Sequence, residues 1–105
     1  MIYLASPYSH PDEAIRRQRF VSACLAAGNL MDNGHVVFCP IAHSHPIAVE
    51  IGERDHAFWM AQDLPFLALS SRLFVLQLDG WEKSKGVAEE MAFAKERGIP
   101  IEFVL

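Results

Sequence analysis

Glu90 is the side chain of this 105-residue chain best placed to do chemistry. It belongs to a segment, beginning near Gly86 and stopped by Gly98, whose apolar residues recur at helical spacing. At about 100° per residue Val87, Met91 and Ala94 form one stripe, widened by Ala88 and Ala92. Glu89 falls nearly opposite and is expected in solvent. Glu90 stands on the shoulder, between Val87 and Ala94, so its carboxylate is expected to be partly desolvated or to look into a polar cleft. An ordinary shoulder glutamate snorkels to water. This one lies close to the start of a helix that should face a ligand crevice. A half-buried carboxylate there can stabilise a developing cation or trap it covalently.

The crevice follows from the flanking elements. An apolar run, Leu73, Phe74, Val75, Leu76 and Leu78, ends in the turn pair Asp79-Gly80. After the polar stretch 81–85 comes the helix, then Gly98 as its stop, then a strand over 99–105. Strand, turn, helix, strand is the pattern of a parallel βαβ crossover. In open parallel sheets the loop at the carboxyl end of a strand faces the ligand. Asp79, Ser84 and the first helical turns belong to that loop.

From the start of the chain, residues 2–5 read as a buried strand, central in a parallel sheet, stopping at Ser6-Pro7-Tyr8. A helix should follow, with Ser9 as N-cap and Asp12 at the capping-box position. It should run to about Asp32 and bury Phe20, Ala23, Cys24, Ala27 and Met31, with Asn33-Gly34 as the stop. A second strand is expected over 35–40. Residues 41–53, with two histidines in His43-Ser44-His45, read as an irregular functional loop. A helix over 54–71 carries Pro65, which implies a kink or a fresh first turn. Asp63 shares a face with Trp59; it can cap the turn at Pro65 or contact a ligand.

The order is β-α-β-loop-α-β-α-β. It predicts a single α/β domain over 1–105, a three-layer doubly wound parallel sheet of flavodoxin-like order 2-1-3-4 with three main helices. Its switch point lies between strands 1 and 3 and should gather Tyr3, Ser6, Tyr8, Asp79, Ser84, Gly86 and Glu90. GxGxxG and GxxxxGK[ST] are absent, so dinucleotide and P-loop readings lose their main support.

A net charge of −4 with no basic run argues against nucleic acid as partner and for a small substrate. Apolar residues make up 51% of the chain, which points to a homodimer or larger assembly, with Phe93 a candidate interface residue. Cys24 and Cys39 have no metal spacing and read as small buried hydrophobes, which fits a reducing compartment. His43 and His45 alone supply too few ligands for a metal, and no cofactor is implied. No apolar run reaches membrane-spanning length and no signal peptide precedes the first strand, so a cytoplasmic protein is expected.

Tyr3-Leu4-Ala5-Ser6-Pro7-Tyr8, Asp63 before an apolar strand, then Leu78-Asp79-Gly80-Trp81, Ser84-Lys85-Gly86 and Glu90 together resemble the nucleoside 2-deoxyribosyltransferase-like superfamily. Within it the chain is most similar to small bacterial and phage members with a GW..S.G...E signature. The resemblance implies that Glu90 is the nucleophile attacking C1′ of a deoxyribosyl unit and that Tyr3 orients it. It also implies that Asp63 contacts the nucleoside. Ser84 stands where the transferases carry an acid. A serine there resembles the hydrolase branch in which serine and backbone amides at the helix start hold a 5′-phosphate. No C-terminal asparagine of the kind transferases borrow from a neighbouring subunit is evident.

The implied activity is cleavage or transfer of the N-glycosidic bond of a nucleoside or nucleoside 5′-monophosphate. Tyr3 and the helix start should keep Glu90 ionised. Gly86 admits the backbone close to a phosphate, and Trp81 can stack on a base or merely cover the crevice. Most of Arg16, Arg17 and Arg19 should be solvated. The alternative is a non-catalytic nucleotide-binding module on the same fold. A receiver-like module is disfavoured, because strand one ends in Ser6-Pro7 without paired acids.

Overall fold

The computed structural model describes all 105 residues. In chain order the elements are β1 (Ile2–Ala5), α1 (Glu13–Asp32), β2 (Val37–Phe38), α2 (Pro40–Ile51), α3 (His56–Ala68), β3 (Arg72–Leu76), α4 (Lys85–Glu96) and β4 (Ile101–Val104). A single 3₁₀ turn, Trp81–Lys83, precedes α4. The strands form one all-parallel sheet in the order β2-β1-β3-β4, so the domain is α/β with a flavodoxin-like layout.

Alternation along the strands builds two cores. Ile2 and Leu4 of β1 and Phe74 and Leu76 of β3 face Ala23 and Ala27 of α1, with Cys39. Tyr3, Ala5, Leu73 and Val75 face Leu67 of α3 and Val87 and Ala94 of α4. Small alanines at the α1 contact let that helix lie close to the sheet, which compensates for a stripe narrower than expected. Of the expected stripe Ala23 and Ala27 are buried, Phe20 and Cys24 partly so, and Met31 is exposed.

Three local expectations need correction. Residues 40–51 are helical, making four main helices, because Pro40 sits at the first helical turn, where its missing N–H is not needed. Ile41, Ala42, His45 and Ala48 then turn one stripe inward at helical spacing. Pro46 is carried inside α2. Strand β2 shrinks to two residues as a result. The cap of α1 is Asp12, not Ser9: its carboxylate accepts from the Ala14 N–H at 2.8 Å, and Ser9 lies outside the helix. In α3, Asp55 is the cap and the helix passes through Pro65 to Ala68, so Asp63 lies mid-helix and caps nothing. Phe93, the candidate interface residue, is partly buried against the core and keeps part of its surface open, with the Arg97 guanidinium 4.5 Å over its ring.

At the switch point Arg19 of α1 ties two loops together. Its guanidinium donates to the Ser9 carbonyl at 2.9 Å and to the Asp79 carbonyl at 3.2 Å. The next residue, Gly80, has φ +88° and lies so near that an added Cβ would meet Arg19 Nη2 at 2.9 Å. Gly80→Ala is therefore expected to destabilise the protein by roughly 1–2 kcal/mol. Gly28→Ala, with open space around it in the middle of α1, should stabilise by about 0.5–1 kcal/mol. Urea denaturation midpoints of the two variants, moving in opposite directions, check this.

Candidate functional site

Between β1, α3 and α4 lie three buried acidic groups, Tyr3, Asp63 and Glu90. Tyr3 reaches the site because odd residues of β1 face α3 and α4. Glu90 comes from the second turn of α4 and Asp63 from the middle of α3; both are only 4% exposed. The Tyr3 hydroxyl donates to Glu90 Oε2, joining residues far apart in sequence. Asp63 Oδ1 is buried without any partner. Phe38, 5.8 Å from the Tyr3 ring and stacked on Phe66 at 4.2 Å, walls the cluster on the β2 side.

Burial dominates the electrostatics. It pushes the Glu90 carboxyl up to about 8; the Tyr3 hydrogen bond opposes this, and the nearby Asp63 and Glu89 charges reinforce it. Burial alone raises Asp63 to about 6. Tyr3 is held far above the ordinary phenol range by burial first, then by Glu90 and Asp63. Burial thus works against the expectation that Glu90 stays ionised. Glu90 is the sixth residue of α4, beyond the first turn where the helix start acts strongly, and one phenol cannot offset complete desolvation. Burial thus favours the protonated form of Glu90.

The other expected residues are distributed around this cluster. Ser6, at the carboxyl end of β1, is buried with an unpartnered hydroxyl. The Tyr8 hydroxyl lies 2.6 Å from His45 Nδ1, and the imidazole stacks on Phe20 at 4.2 Å, which seats α2 against the loop after β1. Burial raises the Tyr8 phenol, and burial with Arg17 and Arg16 lowers His45. Ser84 is the cap of α4, its hydroxyl accepting from the Val87 N–H at 3.2 Å. Beside it, a Cβ on Gly86 would make only ordinary contact with Met60 and Ser84. The Asp79 side chain is exposed, and only its carbonyl is engaged.

Trp81 is not part of the cluster. Its ring packs 5.4 Å from Phe103 of β4 and lines a cavity of about 410 Å³ with Val87 and Met91. Neither Tyr3, Asp63 nor Glu90 lines that cavity. Glu89 has a solvent-accessible side chain, as expected, and pairs with His56 Nε2 at 3.2 Å. His43 and His45 are two residues apart on α2, so they leave the helix in divergent directions, and no three metal-ligating side chains converge anywhere.

Sequence reasoning missed His45 as the partner of Tyr8, Arg19 as the tie across the switch point, and Cys39 beside the cluster. The Cys39 thiol is pushed up to about 11 by burial and is a neutral wall. For His45 a signal existed, the helical spacing of 41, 42, 45 and 48. For Arg19 there was none, since both its partners are main-chain carbonyls.

An all-parallel α/β sheet with a hydrogen-bonded tyrosine and two buried carboxyls beneath its switch point defines the class: a flavodoxin-like domain with an acidic inner site. The chain belongs to the family described as domain of unknown function DUF1937, whose model matches residues 1–104. Comparison with curated proteins gives no match.

Proposed function

We infer that this protein cleaves or transfers the N-glycosidic bond of a nucleoside or nucleoside 5′-monophosphate, with Glu90 as nucleophile. The observation that carries the reading is the hydrogen bond from Tyr3 to Glu90 beside the unpartnered carboxyl of Asp63. It fits the resemblance to nucleoside 2-deoxyribosyltransferases read from the sequence. With its proton passed to Asp63, the Glu90 carboxylate attacks C1′ as the C1′–N bond breaks and its electron pair leaves with the base. Asp63, raised to about 6, is suited to give the departing base its proton. Water or a second base then attacks C1′, Asp63 takes the proton back, and the carboxylate of Glu90 is released. Tyr3 orients that carboxylate and favours its charged form. Ser6 and Tyr8 stand at the carboxyl end of β1, the side from which ligands approach such sheets. Ser84 and Gly86 at the start of α4 suit a 5′-phosphate. Asp79 and Trp81 are assigned to the outer rim, and the route needs no metal or cofactor.

The test is incubation with a panel of deoxynucleosides and nucleoside 5′-monophosphates, with free base followed by chromatography. Base release by the parent and none by Glu90→Ala is expected. Equal release by both proteins, or none by the parent, removes the enzymatic reading.

A second reading, a nucleotide-binding module without turnover, is favoured by one observation: Glu90 is almost completely buried, which works against its charged form. Ligand-induced thermal stabilisation without base release would establish it.

A further inference from the structure

The two edges of the sheet are unlike. The β2 edge is two residues long and runs directly into Pro40, so it offers little to pair with. β4 is longer and its outer side is open. The Leu73 N–H donates to the Pro100 carbonyl and the Gln77 N–H to the Val104 carbonyl, both at the β3 side. Strand periodicity therefore turns the backbone groups of 100, 102 and 104 toward β3 and those of Ile101, Phe103 and Leu105 outward.

These three residues also share a face. Ile101 pairs with Leu73 and Phe103 with Val75, on the side of the sheet covered by α3 and α4. Phe103 is 47% exposed and Leu105 fully so. None of the devices that protect an edge, an outward lysine, a proline or a bulge, occurs at 101, 103 or 105.

We propose that β4 pairs antiparallel with β4 of a second copy, centred on Phe103, giving one continuous sheet through a twofold axis. About that centre Phe103 lies opposite Phe103 of the second copy, and Ile101 lies opposite Leu105 in both directions. All are outward residues, so each is a hydrogen-bonded pair exchanging two N–H···O bonds. The same register makes an unbroken apolar row, with Trp81 of each copy packed against the central pair of Phe103 rings. On the other face Glu102 lies opposite Val104, so no like charges oppose, and Arg72 at 3.7 Å balances Glu102 within each copy. A surface fits a copy of itself when every residue meets its twofold mate without conflict, and this register does so. The proposal does not depend on the catalytic reading.

The test is light scattering on the purified chain across a dilution series. The parent should weigh twice the 11.8 kDa of one chain. Leu105→Pro, which removes an outward N–H at an exposed position, should raise the dimer dissociation constant about tenfold or more while the circular dichroism spectrum is kept. Register is tested by cysteine. Phe103→Cys places two thiols on Cα atoms about 5.5 Å apart and should form a covalent dimer on mild oxidation. Glu102→Cys lies diagonally from its own mate, about 7–8 Å away, and should not. A monomeric parent, which would leave the edge to another chain, overturns the proposal. So does a dimer indifferent to Leu105→Pro, or equal cross-linking at 102 and 103.

Discussion

Glu90→Gln is expected to lower base release by roughly a thousandfold or more and, in the same protein, to raise stability above neutral pH. The loss follows from removing the atom that bonds C1′. The gain follows from linkage. The Glu90 pKa is raised from 4.5 to about 8 on folding. Between those values the native state holds a proton that the unfolded chain has released, so stability falls as pH rises through that window and levels off above about 8. Asp63, raised from 3.8 to about 6, contributes with the same sign at lower pH. Glutamine is neutral throughout. The margin of Glu90→Gln over the parent should therefore widen from pH 5.5 to 8.5 and reach on the order of 3 kcal/mol. Urea denaturation at pH 5.5, 7.0 and 8.5 measures it. Parallel pH dependences for the two proteins would mean that residue 90 is ionised and solvated, which contradicts the buried site.

Tyr3→Phe has the second largest expected effect, and it separates stability from catalysis. Removing the hydroxyl leaves Glu90 Oε2 buried without a donor, at a cost of about 1–3 kcal/mol. The Tyr3 hydrogen bond lowers the Glu90 pKa, so its loss moves that value further up. The reacting pair must hold one proton between Glu90 and Asp63, so kcat/KM of the parent peaks between about 6 and 8, and the upper limb shifts to higher pH in Tyr3→Phe. A variant whose rate falls equally at every pH, with the limb unmoved, would reduce Tyr3 to a packing residue.

The sheet order was legible because each strand and helix carries its own period. Leu73 to Leu76 is a continuous apolar run, and Val87, Met91 and Ala94 mark one helical stripe, so alternation and strand order followed from elements alone. Helix α2 was hidden by its prolines and paired histidines, although Pro40 stands where helices tolerate proline and the inward stripe was present. Asp63 beside Pro65 read equally as a cap or a ligand contact. Only the passage of α3 straight through the proline makes it an interior residue facing Tyr3 and Glu90. The position of Glu90 was readable to within one face of a helix. Its protonation was not, because desolvation depends on how α3 and β1 close over it, and no local spacing encodes that.

The Arg19 tie has a consequence for how the mouth of the crevice can vary. Both of its anchors, at Ser9 and Asp79, are peptide oxygens, which every amino acid supplies. Substitutions at either position leave the clasp intact, so the rim can change its chemistry while the gap between the loops is held by one guanidinium on α1.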